Sequence, residues 1–199
     1  GPGGGASSLH FLEALFLSIT ARTAGFNTIS TASLGDASIV FLLMLMFMGA
    51  SPGSTGGGVK TTTVGILLGT SWDRLCGRGS TSLFRRTIPE DILRRAGSII
   101  ILGGHVVLIF LFVLLAVEAG NSALIELPRR FLAILFEVLS AFGTVGLSMG
   151  VTKILSPAGL LLLSALMFIG RLGPLTLALA VTHRPLPKVR HPEERLMVG

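Results

Sequence analysis

Two short segments in this sequence are suited to one kind of chemistry, the coordination of a bare cation by backbone oxygen. They are Thr23-Ala24-Gly25-Phe26-Asn27 and Thr144-Val145-Gly146-Leu147-Ser148. Each follows an apolar stretch of about 14 residues, at 8–21 and 128–142, too short to cross a bilayer core that needs about 20. The helix macrodipole leaves partial negative charge at the end of such a helix, which favours a cation there. An extended Thr-x-Gly segment after it can turn successive carbonyls toward one axis and replace an ion's hydration shell. Glycine admits backbone geometry that a Cβ would obstruct, and the threonine hydroxyl adds an oxygen at the inner end. Neither segment is persuasive alone. Together they stand 121 positions apart, and that offset gives ten identities over the 27 gap-free positions from 23 to 49. The identities include Thr23/Thr144, Gly25/Gly146, Leu45-Met46-Phe47 against Leu166-Met167-Phe168, and Gly49/Gly170. The unit of short helix, hairpin and long helix is therefore an internal repeat.

The rest of the chain sets the medium. Of 199 residues, 50% are hydrophobic and 13% charged, with a mean hydropathy of +0.79. Soluble domains carry roughly a quarter charged residues, so an all-α integral membrane protein with roughly three to five membrane segments is the expected class. The charge of +6 suggests nucleic acid only superficially, because the basic residues lie between apolar runs with little aromatic interleaving. No nucleic-acid partner is expected. Cys76 is alone, which excludes an intrachain disulfide and a cysteine-based zinc site. No nucleophile–base pair marks an enzyme. The chain opens on Gly1-Pro2-Gly3-Gly4-Gly5 without methionine, as added residues or a cut from something longer would.

The run 96–117 is expected to span as one helix, with His105 its sole titratable group and a packed or interhelical hydrogen-bonding residue. A second run, 156–182, carries Arg171 near its middle. A third begins at Ala37, breaks over 49–58 in a dense Gly/Pro segment, and resumes from Val59 to Ser71. Helix cannot continue through such a segment. A broken helix at membrane depth is tolerated only where it is buried or lines a water path. Four units follow: a pore repeat at 1–71, a basic cytoplasmic loop at 72–95, a second pore repeat at 96–183 and a cytoplasmic tail at 184–199. Arginine excess in the loop and tail puts both on the cytoplasmic side, and the hairpins then face outward.

Charges inside membrane segments cost about 2.5–3.5 kcal/mol on insertion scales, which makes Lys60 and Arg171 functional candidates. Structural alternatives are an ion pair for Arg171 and snorkelling for Lys60. Glu13 and Glu137 read as structural carboxylates beside the short helices. The 53–61 stretch superficially matches a phosphate-binding loop, but Val59 intrudes between Gly58 and Lys60, and a membrane helix precedes it instead of a strand.

The segments Ser18 to Asn27, Gly53 to Thr61, Ala141 to Ser148 and Met167 to Pro174 resemble the Trk/Ktr/HKT potassium-transporter superfamily, as a TrkH/KtrB-like membrane subunit. The resemblance covers essentially the whole chain. It implies helix–pore-loop–helix repeats around one ion path, of which this chain carries numbers three and four, the first lacking its outer helix. It implies a potassium selectivity filter from the carbonyls of Thr23, Ala24, Gly25, Phe26 and Asn27 and of Thr144, Val145, Gly146, Leu147 and Ser148. It further implies a gate at Gly56, Gly57, Gly58, Lys60 and Arg171. The expected activity is gated uptake of a monovalent cation, potassium first, across a plasma (bacterial inner) membrane. Its expected partners are a second copy in a homodimer, a cytosolic nucleotide-binding ring subunit and membrane lipid. A non-conducting half-pore or accessory subunit is the alternative. A cation-coupled secondary transporter would want paired polar groups on the broken helices, which 37–71 does not supply.

Overall fold

The computed structural model describes residues 11–77, 82–83 and 86–173. These fold as seven α-helices: α1 (Phe11–Thr20), α2 (Asp36–Phe47), α3 (Thr61–Leu75), α4 (Glu90–Val117), α5 (Ser122–Ile125), α6 (Arg130–Gly143) and α7 (Pro157–Leu172). Two two-residue strands, β1 (Ser82–Leu83) and β2 (Arg86–Thr87), pair antiparallel between α3 and α4. Short 3-10 turns at Thr31–Ser33 and Val151–Lys153 sit at nearly equivalent points of the two sequence repeats.

Each helix boundary has a local cause. Ser156 caps α7 by accepting from the Gly159 amide, and Pro157 takes the first helical position, where no amide partner is needed. α3 ends at Leu75, with Cys76 as its C-cap and Gly77 after it at φ 70°, the left-handed stop that glycine supplies without strain. α2 stops at Phe47 and α3 starts at Thr61, so the glycine-rich break of the sequence is a real interruption. At about 1.5 Å per residue, the 12 residues of α2 reach only about 18 Å.

The basic loop is shorter than its sequence suggests. α3 continues through Trp72 and Arg74, and α4 begins at Glu90, taking in Arg94 and Arg95. Charge marks where a helix leaves the apolar layer, not where its hydrogen bonds end. Glu90 and Asp91 favour the positive N-terminus of α4, and Arg94 pairs with Glu90 one turn away. The expected first residues of the early short helix, 8–10, and the tail at 184–199 lie outside the described residues.

α6 is the hub, packed against α2, α4 and α7 and buried along ten of its 14 residues. Phe136, Phe142 and Ile134 are fully buried, and the Phe142 ring stacks on Phe47 of α2 at 5.9 Å between centroids. Backbone meets backbone where glycine allows it. A Cβ at Gly170 would stand 2.0 Å from the Phe142 carbonyl oxygen, and one at Gly143 2.6 Å from that of Met46. α4 is long and apolar enough to cross a membrane, and it leaves Ile101, Leu108, Ile109, Phe112 and Val113 exposed. So much apolar surface on a helix flank suits lipid and not water.

Candidate functional site

The two Thr-x-Gly hairpins meet. Thr23 and Thr144 both adopt left-handed backbone, at φ 70° and 53°, and Gly25 and Gly146 follow at 76° and 90°. Threonine rarely takes that conformation, which costs about 1–2 kcal/mol per residue, so the same strain at equivalent positions of both repeats is a deliberate geometry. A Cβ on Gly25 would lie 2.5 Å from the Val145 carbonyl oxygen, and one on Gly146 3.6 Å from the Gly25 Cα. The hairpins therefore face each other glycine to glycine.

Each hairpin hangs from its own helix. The Ala24 and Gly25 amides donate to the Thr20 carbonyl, and the Val145 amide to that of Ser140. Hydroxyls then fix the outer ends: Thr20 Oγ1 donates to the Phe26 carbonyl at 2.7 Å and Ser140 Oγ to the Leu147 carbonyl at 2.6 Å. Thr31 Oγ1 crosses from the first repeat to the Ser148 carbonyl. Those three carbonyls, among the ten expected from the sequence as cation ligands, are thus engaged by side chains. Among the described residues, the carbonyls of Thr23, Ala24, Gly25, Thr144, Val145 and Gly146 accept no hydrogen bond. Ala24 and Gly146 are exposed and Thr23, Gly25 and Thr144 half-buried, so these acceptors border open space in which water or a cation can be taken up.

The glycine-rich break lies at the inner end of these hairpins. The Gly57 amide donates to Thr144 Oγ1 at 3.0 Å, and a Cβ on Gly56 would come 2.6 Å from Thr23 Oγ1. The Gly58 amide donates to the Gly170 carbonyl at 3.3 Å and the Val59 amide to that of Phe47 at 3.2 Å. A Cβ on Gly49 would meet the Gly57 oxygen at 2.0 Å. No side chain fits where Gly49, Gly56 and Gly57 stand. Among the described residues Lys60 pairs with no acid: its Nζ donates to the Gly56 carbonyl at 2.6 Å and the Ser54 carbonyl at 3.4 Å, stapling the loop to the start of α3. Arg171 is exposed in the last turn of α7, beside Gly170, and has no hydrogen bond or ion pair among the described residues.

Glu137 is a hydrogen-bonded carboxylate in keeping with its structural reading, whereas Thr31, Glu118 and Arg129 gain parts that sequence reading did not assign. Glu137 is 5% exposed and accepts from Ser148 Oγ, the Met149 amide at 3.2 Å and Thr152 Oγ1 at 2.8 Å. Thr31 and Thr152 match at the 121-residue offset, and that identity was the available signal. Glu118, which the sequence does not single out, is fully buried. Its carboxylate accepts from the Ser156 amide and hydroxyl and from Asn121 Nδ2, while Arg130 donates to its backbone carbonyl. Burial pushes this carboxyl up, but the Ser156 and Asn121 hydrogen bonds, with the Arg130 charge, outweigh it and hold the group below the ordinary range. Arg129 joins the repeats, pairing with Asp36 at 3.0 Å and donating to the Leu34 carbonyl at 3.0 Å. His105 is exposed and bonds the Ile101 carbonyl of its own helix at 2.8 Å, so among the described residues it is neither packed nor interhelical. No cluster of metal-ligating side chains occurs among the described residues.

Comparison with known proteins supplies the family. The chain is 37% identical over 195 residues to the Ktr system potassium uptake protein B of Bacillus subtilis (strain 168), covering 96% of this chain and 42% of that protein. It is 34% identical to the protein of the same name from Vibrio alginolyticus, over 95% of this chain and 40% of that one. The potassium/sodium uptake protein NtpJ of Enterococcus hirae is 36% identical over 92% of this chain and 40% of its own length. The chain thus spans about two-fifths of the length of these relatives. The family model described as TrkH, cation transport protein, matches residues 6–191, nearly the whole sequence, so the chain belongs to the TrkH family, a family of membrane transporters and not of enzymes.

Proposed function

We propose that this chain forms two of the helix–pore-loop–helix walls of a pore that admits potassium, as cargo, across a plasma membrane. One observation carries the reading. Two strained Thr-x-Gly hairpins face each other with six unengaged carbonyls, and a side-chain-free loop closes their inner end. In this reading α1 and α6 are pore helices, and the carbonyls of Thr23–Gly25 and Thr144–Gly146 replace water around the ion. Phe26, Asn27, Leu147 and Ser148 shape the outer mouth. Gly56–Gly58, with Lys60 as staple and Arg171 as a fixed positive charge, forms the barrier below. The names of the relatives, two potassium uptake proteins and one potassium/sodium uptake protein, favour potassium as the ion and leave sodium as its competitor.

Four walls, not two, would close a ring. Between α1 and α2 lies an open apolar groove of about 340 Å³ lined by Leu17, Leu34, Ala37 and Phe41. Offset by 121, its Ser38 is Gly159, the residue against which α4 lays Leu114 and Glu118. A further apolar helix belongs in that groove, which keeps the half-pore as a second reading. A homodimer and a cytosolic nucleotide-binding ring at the 76–89 side complete the proposed assembly. Rubidium uptake into vesicles tests it, comparing this chain alone with the full-length gene product that contains it. Uptake by neither, from correctly folded protein, overturns transport; uptake only by the longer product makes this chain a half-pore.

A further inference from the structure

The two hairpins are not held alike, and the difference lies in one carboxylate. In the second repeat, Glu137 of α6 reaches behind the filter segment and collects three donors from the chain that leaves it. These are Ser148 Oγ and the Met149 amide on one oxygen, and Thr152 Oγ1 on the other. Ser148 Oγ also accepts from the Gly150 amide at 2.9 Å. Ser140 and Thr31 hold the neighbouring Leu147 and Ser148 carbonyls. The outer half of this hairpin is pinned at every residue from 147 to 150. The side chains concerned border a cavity of about 300 Å³ between α6 and α7. In the first repeat the position equivalent to Glu137 is Phe16, which is 37% exposed. There, among the described residues, Thr20 Oγ1 donates to the Phe26 carbonyl, and Asn27 is exposed.

We infer that Glu137 is a positioning residue for ion selection, fixing the second hairpin as the rigid wall of an otherwise compliant filter. The inference rests on the proposed cation path. The physical ground is the size-fit account of filter selectivity, in which the carbonyls do not relax inward around the smaller ion. Compliance in both walls would let the site shrink onto sodium. A carboxylate whose two oxygens both act as acceptors, each bond charge-assisted, resists that movement. The glycines at 25 and 146 supply the conformation, and Glu137 supplies the stiffness at one of them.

The test is the potassium-over-sodium preference of the full-length product containing this chain, measured by competition against rubidium uptake in reconstituted vesicles. Glu137→Ala removes all three acceptor contacts. Losing even one hydrogen bond to a charged acceptor implies a change of about tenfold, and a fall of that size in the preference is expected. Glu137→Gln is expected to restore most of it, because its carbonyl oxygen can take the Ser148 and Met149 donors while its amide donates to Thr152. Thr152→Val, at the partly solvated end of the network, is expected to lower the preference less than Glu137→Ala while leaving the fold intact. Preference unchanged in Thr152→Val and in whatever Glu137→Ala folds, with only the amount of protein reduced, would show Glu137 to be a fold residue alone. Wild-type protein that carries no cation would instead sink the transport reading itself.

Discussion

At the scale of single residues, the close approach of the two hairpins separates glycines that look equivalent. Both filter glycines hold positive φ, so alanine at either pays the left-handed cost of about 1–2 kcal/mol. Only at Gly25 would the new Cβ also press on backbone, at 2.5 Å from the Val145 oxygen, whereas at Gly146 the nearest atom is 3.6 Å away. Gly25→Ala is therefore expected to abolish rubidium uptake, by moving a proposed cation ligand. Gly146→Ala is expected to keep folded protein and uptake while loosening potassium preference. Equal effects of the two substitutions on uptake, measured at matched protein levels, would contradict the facing geometry. Both glycines were legible in the sequence from their shared offset. The hydroxyls that occupy the outer carbonyls were not, because Thr20 and Ser140 sit one position out of register, 20 plus 121 being 141. Repeat alignment finds shared residues, not shared jobs performed from neighbouring turns.

Between elements, the tie that matters most joins the end of α4 to the start of α7. Glu118 follows the last apolar turn of α4 and accepts from the amide and hydroxyl of Ser156, the residue that caps α7. Gly159 makes room for it, since a Cβ there would lie 2.4 Å from the carboxylate. Removing the charge leaves buried donors without their acceptor, a cost of about 1–3 kcal/mol. Glu118→Gln puts an amide against Asn121 Nδ2, donor to donor, and is expected to lower the unfolding midpoint in detergent by several degrees. The carboxyl is held below its ordinary value of 4.5. Its stabilising contribution is therefore complete above that value and is lost as pH falls through the lower, folded one. The gap between wild type and Glu118→Gln is expected to be constant near neutrality and to close under strong acid; a gap independent of pH would refute the assignment. Nothing in the sequence distinguished Glu118 from a solvated charge at a membrane boundary, because its partner lies 38 residues on. α4 itself was legible from 22 unbroken apolar residues, and the α2–α3 break from its glycines. The ends of α3 and α4 were not, since arginines permit a helix to continue into water.

Over the whole molecule, the orientation and the gate can be examined with residues the fold already exposes. Cys76 is the chain's single cysteine and is exposed at the end of α3, on the side assigned to the cytoplasm. An impermeant thiol reagent is expected to miss it in intact cells and reach it after lysis. A cysteine replacing exposed Ala123 in a Cys76→Ser background is expected to react from outside. The reverse pattern would invert the molecule and place the hairpins' outer ends in the cytoplasm. Given that orientation, the loop at 50–58 lies on the inner side of the filter and must move for an ion to pass. Among the contacts that hold it are the Gly57 amide on Thr144 Oγ1, the Gly58 amide on the Gly170 carbonyl, and Lys60 on the Gly56 and Ser54 carbonyls. The first ties the barrier to a residue of the filter itself, and the last carries charge. Lys60→Met keeps the aliphatic stem and deletes only the ammonium, worth about 1.5–3 kcal/mol as a charged hydrogen-bond donor. If the loop is a barrier, that substitution raises cation flux severalfold with ion preference unchanged, and shortening Gly56–Gly58 or Arg171→Ala acts in the same direction. Vesicle flux at equal protein density decides it. Lower flux in all three, from folded protein, would make the loop a support for the hairpins, because a scaffold loosened below the filter can only degrade conduction, whereas a barrier loosened there must increase it.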